Sequence, residues 1–123
     1  VHVLRDPTRG GLATTLNEIA AQSKVSIEID EQAVPIHPAV ASACEFLGLD
    51  PLYIANEGKL IVIVEEDVAQ EALSIIRSCK YGENAAVIGR VSSEQPGFVS
   101  MKTAIGGKRL VDWLNSDPLP RIC

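Results

Sequence analysis

The chain has 123 residues, of which 46% are hydrophobic and 22% are charged, and its formal net charge is -5. This composition supports one hydrophobic core and is too small for two. The acidic balance and the absence of a basic run argue against a nucleic-acid partner, because a phosphate backbone requires clustered Lys and Arg. The longest apolar run, residues 60–64, is far below the roughly 20 residues that cross a bilayer, so we expect no membrane association.

The first part of the chain predicts a loop, a helix and a strand. Residues 5–11 (Arg-Asp-Pro-Thr-Arg-Gly-Gly) are typical of a loop that leads into a helix. An apolar stripe with helical spacing follows: Leu12, Leu16, Ile19 and Ala20. Residues 25–30 alternate apolar and polar side chains, which predicts a half-buried strand.

The middle of the chain predicts a second helix and a hairpin. His37-Pro38 opens the helix and Gly48 ends it, with an apolar face formed by Val40, Cys44 and Leu47. Largely apolar runs at residues 52–55 and 59–65 flank Asn56-Glu57-Gly58, which indicates two strands joined by a tight turn.

The last part predicts a third helix and three strands. Asp67 and Gln70 resemble a capping box for a helix that points four apolar side chains inward: Val68, Ala72, Ile75 and Ile76. Residues 86–91 and 98–103 predict strands, and residues 109–113 favour a hairpin strand over a short helix. The order α-β-α-β-β-α-β-β-β predicts an α+β fold with a mixed sheet and helices packed on it.

The organisation predicts a domain at residues 1–115 and an extended tail at residues 116–123. Pro118 and Pro120 deny the tail a helix or a central strand. If extended, the tail reaches roughly 26 Å, at about 3.3 Å per residue. Because the chain starts at Val1 without a methionine, we expect it to be a piece of a longer polypeptide.

The three cysteines are an odd number at wide spacings, which fits neither a disulfide framework nor a zinc site and favours a reducing cytoplasm. Cys44 and Cys79 fall on predicted helices, so we interpret both as packed side chains. Cys123 is the terminal residue and lacks the three following residues that prenylation requires. It is either an incidental thiol on a frayed end or the tip of an arm that enters a cleft elsewhere.

Two loops could carry chemistry as well as structure. Gly10 and Gly11 serve as a helix entry, but their backbone N-H groups at a helix N-terminus could also bind a phosphate together with Arg5 or Arg9. Glu57 lies in a predicted hairpin turn, and it could also act as a general base. His2 and His37 have no partner spacing suited to a metal, so no metal site is predicted.

Three segments together resemble the HypE family of hydrogenase maturation factors, which are carbamoyl dehydratases. They are residues 5–12 (Arg-Asp-Pro-Thr-Arg-Gly-Gly-Leu), residues 56–59 (Asn-Glu-Gly-Lys) and the terminal Pro-Arg-Ile-Cys at residues 120–123. The terminal segment is the most specific, whereas the glycine loop is shared more loosely with aminoimidazole ribonucleotide synthetase relatives. The resemblance implies the C-terminal domain of such an enzyme, without its N-terminal ATP-binding domain.

The resemblance also implies an activity and partners. The family uses ATP to dehydrate an S-carboxamide on its own terminal cysteine to a thiocyanate, the source of the cyanide ligands of nickel-iron hydrogenase. The implied partners are the carbamoyltransferase HypF, the HypC-HypD iron-carrying complex and a second copy of the full-length protein. ATP and Mg²⁺ are expected mainly on the missing domain, so this piece alone is expected to be inactive and to hold no cofactor.

Residue roles follow from the matched motifs. Cys123 is expected to be the covalent carrier, and Glu57 is the candidate proton acceptor. Contacts to phosphate or to the returning tail are expected from a larger set: Asp6, Thr8, Arg9, Gly10, Gly11 and Arg121. Two other interpretations remain open: another ATP-using enzyme of the aminoimidazole ribonucleotide synthetase-like superfamily, and a non-catalytic docking module with an acidic surface and an exposed arm.

Overall fold

The computed structural model describes residues 2–55 and 58–112. Its helices are α1 (Gly11–Ser23), α2 (Pro38–Leu47) and α3 (Ala69–Ser78), and 3₁₀ turns cover Pro51–Tyr53 and Glu66–Val68. The strands are β1 (Val3–Arg5), β2 (Ser26–Asp30), β3 (Ile61–Ile63), β4 (Gly89–Ser92), β5 (Val99–Lys102) and β6 (Lys108–Leu110).

The main sheet has four strands in the order β4-β2-β5-β6. Strands β2 and β5 run parallel, whereas the β2-β4 and β5-β6 pairs are antiparallel. This arrangement confirms the predicted α+β fold with a mixed sheet, and the β5-β6 pair confirms the hairpin that was favoured over a short helix. A separate two-stranded antiparallel sheet joins β1 to β3.

The core lies where α1 packs against the main sheet. The helix contributes the predicted stripe, with Leu16, Ile19 and Ala20 all buried. The sheet contributes alternate residues of β2 and β5, and the remaining core residues come from other segments: Ala13, Ile27, Ile29, Leu52, Val99, Met101 and Val111. Each large aliphatic side chain buried here stabilises the fold by about 1.5–3 kcal/mol before chain entropy is counted. This core fixes α1 relative to the sheet.

The prediction of a hairpin around residues 56–58 was wrong. Residues 51–53 form a 3₁₀ turn, because the Asp50 carboxylate accepts a hydrogen bond from the Leu52 amide at 3.0 Å and Pro51 occupies the first position of the turn. The second predicted strand is real but shorter, and it pairs with β1 at the start of the chain rather than with its sequence neighbour. The loop predicted at residues 5–11 therefore begins one residue later, because Arg5 is the last residue of β1.

The start and the inner face of α3 also differ from prediction. Val68 is the N-cap residue and no side chain caps the helix, because the 3₁₀ turn Glu66–Val68 precedes it and removes Asp67 from the capping position. Ile75 is 59% exposed, so this face is not inward within the described residues. Cys79 is exposed as well, which overturns its interpretation as a packed side chain.

Helix α2 buries only part of its predicted apolar face. Cys44 is buried, as predicted, but Leu47 is 63% exposed and Val40 is also exposed. The helix is capped at its start by His37, whose Nδ1 accepts a hydrogen bond from the Ala39 amide at 3.1 Å. The helix therefore contacts the rest of the described chain along the side that carries Cys44.

The helices of the described chain are too short or too polar to cross a membrane.

Candidate functional site

The glycine loop, residues 6–11, leads from β1 into the N-terminus of α1. Gly10 is the N-cap residue with φ 73°, and Gly11 has φ 65°; L side chains rarely adopt either conformation. A Cβ on Gly11 would lie 2.4 Å from the carbonyl oxygen of Ile54 and 2.6 Å from that of Leu52. The backbone at residues 52–54 therefore packs so closely on position 11 that only glycine fits there.

Contacts on both sides hold the glycine loop in place. At its start, Arg5 Nη2 donates to Glu18 Oε2 at 2.6 Å and so ties the end of β1 to α1. Within the loop, the Thr8 carbonyl oxygen accepts from the Gly11 amide at 3.4 Å. Arg5, one of the two arginines considered for a phosphate, therefore already pairs with a carboxylate.

The 3₁₀ turn that abuts Gly11 also contacts the segment from which the tail departs. We call this segment, residues 109–112, the tail root. The Asp50 carboxylate caps the turn with Oδ1 and accepts from Arg109 Nη2 with Oδ2 at 3.2 Å. The Tyr53 hydroxyl donates to the carbonyl oxygen of Asp112 at 2.8 Å. Two side chains of one short segment thus bind the tail root.

A third contact to the tail root comes from α1. Asn17 is 4% exposed, and its Nδ2 donates to the Val111 carbonyl oxygen at 3.0 Å and to the Ala13 carbonyl oxygen at 2.9 Å. The Val111 amide donates in turn to the Val99 carbonyl oxygen at 2.8 Å on β5. The backbone at Val111 is therefore held on two sides by groups inside the core.

The Tyr53 hydroxyl stays protonated at neutral pH, which the bond to Asp112 requires because the hydroxyl is the donor. Partial burial raises the pKa of Tyr53 above its ordinary value, and the negative charge of Asp50 raises it further. The contact between the 3₁₀ turn and the tail root therefore persists through the physiological pH range.

The structure brings five of the predicted site residues together in the glycine loop: Asp6, Thr8, Arg9, Gly10 and Gly11. The other three, Glu57, Arg121 and Cys123, lie outside the described residues. Glu57 follows Ala55 by two positions, and the tail continues directly from Asp112. Glu57 is thus close in sequence to Ile54, whose carbonyl oxygen faces Gly11. The tail follows Asp112, which accepts a hydrogen bond from Tyr53.

Sequence reasoning missed the residues that hold the tail root. One signal was present: Asn17 is a poor helix former between Leu16 and Ile19, and an asparagine there is typical of a side chain that bonds a backbone carbonyl. Tyr53 and Arg109 gave no signal, because their partners are distant in sequence.

A phosphate contact at the glycine loop stays a prediction, and the described residues contain no metal cluster. The N-terminus of α1 carries partial positive charge, which suits an anion near Arg9 and Gly10. The side of Gly11 that faces the Leu52 and Ile54 carbonyl oxygens does not suit one. Within residues 2–55 and 58–112, no three His, Cys, Asp or Glu side chains are placed to bind a metal ion.

The fold and the glycine loop place the chain in a known family. The model of the AIR synthase related protein, C-terminal domain, matches residues 1–102. The chain therefore belongs to this family, and the predicted relation to aminoimidazole ribonucleotide synthetase proteins is confirmed.

Curated relatives narrow the relation to HypE proteins. The chain is 54% identical over its whole length to the carbamoyl dehydratase HypE of Rhizobium leguminosarum bv. viciae, of which it covers 35%. It is 46% identical over its whole length to that of Escherichia coli strain K12, of which it covers 36%. The resemblance to HypE is confirmed, and the chain spans about a third of the length of these relatives.

Solved structures agree with the sequence comparisons. A crystal structure of the hydrogenase maturation protein HypE superposes with a TM-score of 0.92 at 55% identity, covering 99% of this chain and 40% of that one. A structure of HypE in complex with ATP superposes with a TM-score of 0.90 at 54% identity, covering 95% of this chain and 37% of that one. A chain of a HypE-HypF complex superposes with a TM-score of 0.86 at 48% identity, covering 91% of this chain and 36% of that one.

Proposed function

We propose that this chain is the C-terminal part of an ATP-dependent carbamoyl dehydratase that carries its substrate on its own terminal cysteine. The observation that carries the proposal is the position of the tail root. It is bound to the same 3₁₀ turn, Pro51–Tyr53, whose neighbouring backbone packs on Gly11 of the glycine loop. The terminal Pro-Arg-Ile-Cys then supplies a thiol at the end of the sequence that follows the tail root.

The proposed reaction converts an S-carboxamide on Cys123 to a thiocyanate. The carboxamide oxygen takes the γ-phosphoryl group of ATP and ADP is released. The oxygen then departs with that group as phosphate, and the nitrogen loses both protons to leave the nitrile. The C-S bond to the protein is kept throughout. Such phosphoryl transfer depends mainly on positioning and on stabilisation of charge, so the protein must hold the tail and accept protons.

The residues of this chain divide these tasks. Cys123 is the carrier, and Arg121 favours its thiolate for attack on the carbamoyl donor, while the terminal carboxylate opposes it. Glu57 accepts a proton from the carboxamide nitrogen. Five residues of the glycine loop contact phosphate or the returning tail: Asp6, Thr8, Arg9, Gly10 and Gly11.

The remainder of the full-length protein supplies the other parts of the proposal. It binds most of the ATP and Mg²⁺ and forms the homodimer, and this piece alone is inactive. A HypE-HypF complex is known among the relatives, which supports a HypF-type carbamoyltransferase as the source of the carboxamide. We further propose that the thiocyanate passes to a HypC-HypD complex as a cyanide ligand for nickel-iron hydrogenase, in the cytoplasm.

Two variants of the full-length protein test the proposal. Cys123→Ser should bind ATP normally and yield no thiocyanate by mass spectrometry, because no sulfur is left to carry the group. Thiocyanate formation at the normal rate in this variant would refute the carrier role.

Glu57→Gln tests the base. It should accept the carbamoyl group normally and then fail to lose water, with a rate loss of about 10²–10⁴-fold for a missing general base. Glu83→Gln, an exposed glutamate after α3, is the matched control and should dehydrate normally. Unchanged dehydration in Glu57→Gln would remove Glu57 from the site.

A further inference from the structure

The tail root is held more firmly than a connection to a simple flexible end requires. Three hydrogen bonds to residues 109–112 come from side chains far away in sequence: Asn17 on α1, Tyr53 in the 3₁₀ turn and Asp50 before it. The acceptors for Asn17 and Tyr53 are successive carbonyl oxygens, those of Val111 and Asp112. These two contacts therefore fix the backbone itself, not only a side chain.

We propose that Tyr53 and Asn17 are positioning residues that aim the tail, so that the carboxamide on Cys123 returns to its reaction site. The inference rests on the proposed function. It adds that the rate of dehydration depends on contacts at the root of the tail, 11 residues before the reacting sulfur.

The length of the chain beyond the tail root cannot by itself change the rate of dehydration by a large factor. If the tail root opened completely, the segment beyond the last held residue would grow from 11 to 15 residues. Effective concentration falls as roughly the −3/2 power of segment length, so this change lowers it less than about twofold.

The direction of the tail matters more than its length. If extended, eleven residues would reach at most about 36–40 Å, and a swing of about 20° at the root of such an arm would move its end by about 13 Å. Prolines at positions 118 and 120 restrict the backbone conformations open to the end of this sequence. Reaction requires placement within a few tenths of an ångström to about 1 Å.

Tyr53→Phe is the most selective test, because it removes one hydroxyl and keeps the ring. Losing one hydrogen bond shifts the open and closed populations of the tail root by about two- to tenfold. The chain has two tyrosines, and Tyr81→Phe is the matched control. Tyr81 lies after α3, is 86% exposed, and its ring rather than its hydroxyl contacts Lys80.

The experiment uses the full-length protein with Cys123 first loaded by a carbamoyltransferase and its donor. ATP is then added, and loss of water is followed by intact mass over a single turnover at several ATP concentrations. Backbone amide exchange of residues 109–112 is measured on the same samples by mass spectrometry, together with the thermal midpoint.

We expect Tyr53→Phe to dehydrate more slowly at saturating ATP, by up to about tenfold, with the same half-saturating ATP concentration and the same extent of loading. Exchange at residues 109–112 should accelerate, whereas Tyr81→Phe should match the unmodified protein in every respect. An unchanged dehydration rate in Tyr53→Phe overturns the inference. So does a rate loss accompanied by weaker ATP binding or by poorer loading of Cys123, because a general disturbance of the fold would impair those steps as well.

The two proposals fail in different ways. If the unmodified protein loads and never loses water, the proposed function fails and positioning for that reaction fails with it, while the exchange data still show whether Tyr53 holds residues 109–112. If the unmodified protein dehydrates and Tyr53→Phe does so equally fast, the positioning role alone is refuted.

Discussion

Asn17 and Val111 are 94 positions apart in the chain, yet the Asn17 side-chain amide donates to the Val111 carbonyl oxygen at 3.0 Å inside the core. The same amide donates to the Ala13 carbonyl oxygen on its own helix. One buried side chain thus joins α1 to the last described segment of the chain, where the tail begins.

Asn17→Ala should lower the free energy of unfolding by about 1–3 kcal/mol, because it leaves the buried Val111 carbonyl oxygen without this donor. Chemical denaturation of the purified chain measures the change. Gln22→Ala, at an exposed position on the same helix, is the control and should change stability by less than about 0.5 kcal/mol. Equal stability of both variants would show that the Asn17 contacts contribute nothing net.

Gly11→Ala should destabilise the chain for two reasons. Its φ of 65° costs an L residue about 1–2 kcal/mol, and the added Cβ overlaps the Leu52 and Ile54 carbonyl oxygens, which costs about 1–3 kcal/mol more. Gly48→Ala separates the two effects, because Gly48 has φ 69° and open space around its Cα. Unfolding by denaturant should show a clearly larger loss for Gly11→Ala, and similar losses would contradict the close approach.

Alkaline pH should weaken the contact between Tyr53 and the tail root. Because the folded pKa of Tyr53 is raised, its contribution is complete below the unfolded value of about 10 and is lost as the pH rises through the folded value. The thermal midpoint of the unmodified chain should therefore fall more steeply above about pH 10 than that of Tyr53→Phe. Parallel pH profiles for the two proteins would be inconsistent with the raised pKa.

The elements that could be predicted from sequence are those governed by local periodicity. The α1 stripe, with Leu16 and Ile19, and the alternation in β2 both place apolar side chains on the core, and the structure agrees. The glycine loop was also recognisable, because Pro7 and the paired glycines are typical of a loop that leads into a helix. The Pro-Arg-Ile-Cys terminus was recognisable by its motif.

The elements that were missed depend on contacts that are distant in sequence or on turn chemistry. Strand β1 has only three residues, and its partner β3 lies near position 62. The apolar run at residues 52–55 has the composition of a strand, but the Asp50 cap converts it to a 3₁₀ turn. For α2 and α3, an amphipathic pattern predicts an apolar face and does not say what covers it, as the exposed Leu47 and Ile75 show.

The central claim is that Cys123 carries the reacting group, and the most direct test follows its mass through one turnover. The full-length protein is incubated with a carbamoyltransferase and its donor, and ATP is then added. We predict a gain of one carbamoyl group followed by the loss of one water, with both changes mapping to the C-terminal peptide that contains Cys123. A carbamoyl group that maps elsewhere, or one that stays intact on Cys123 after ATP, would contradict the account.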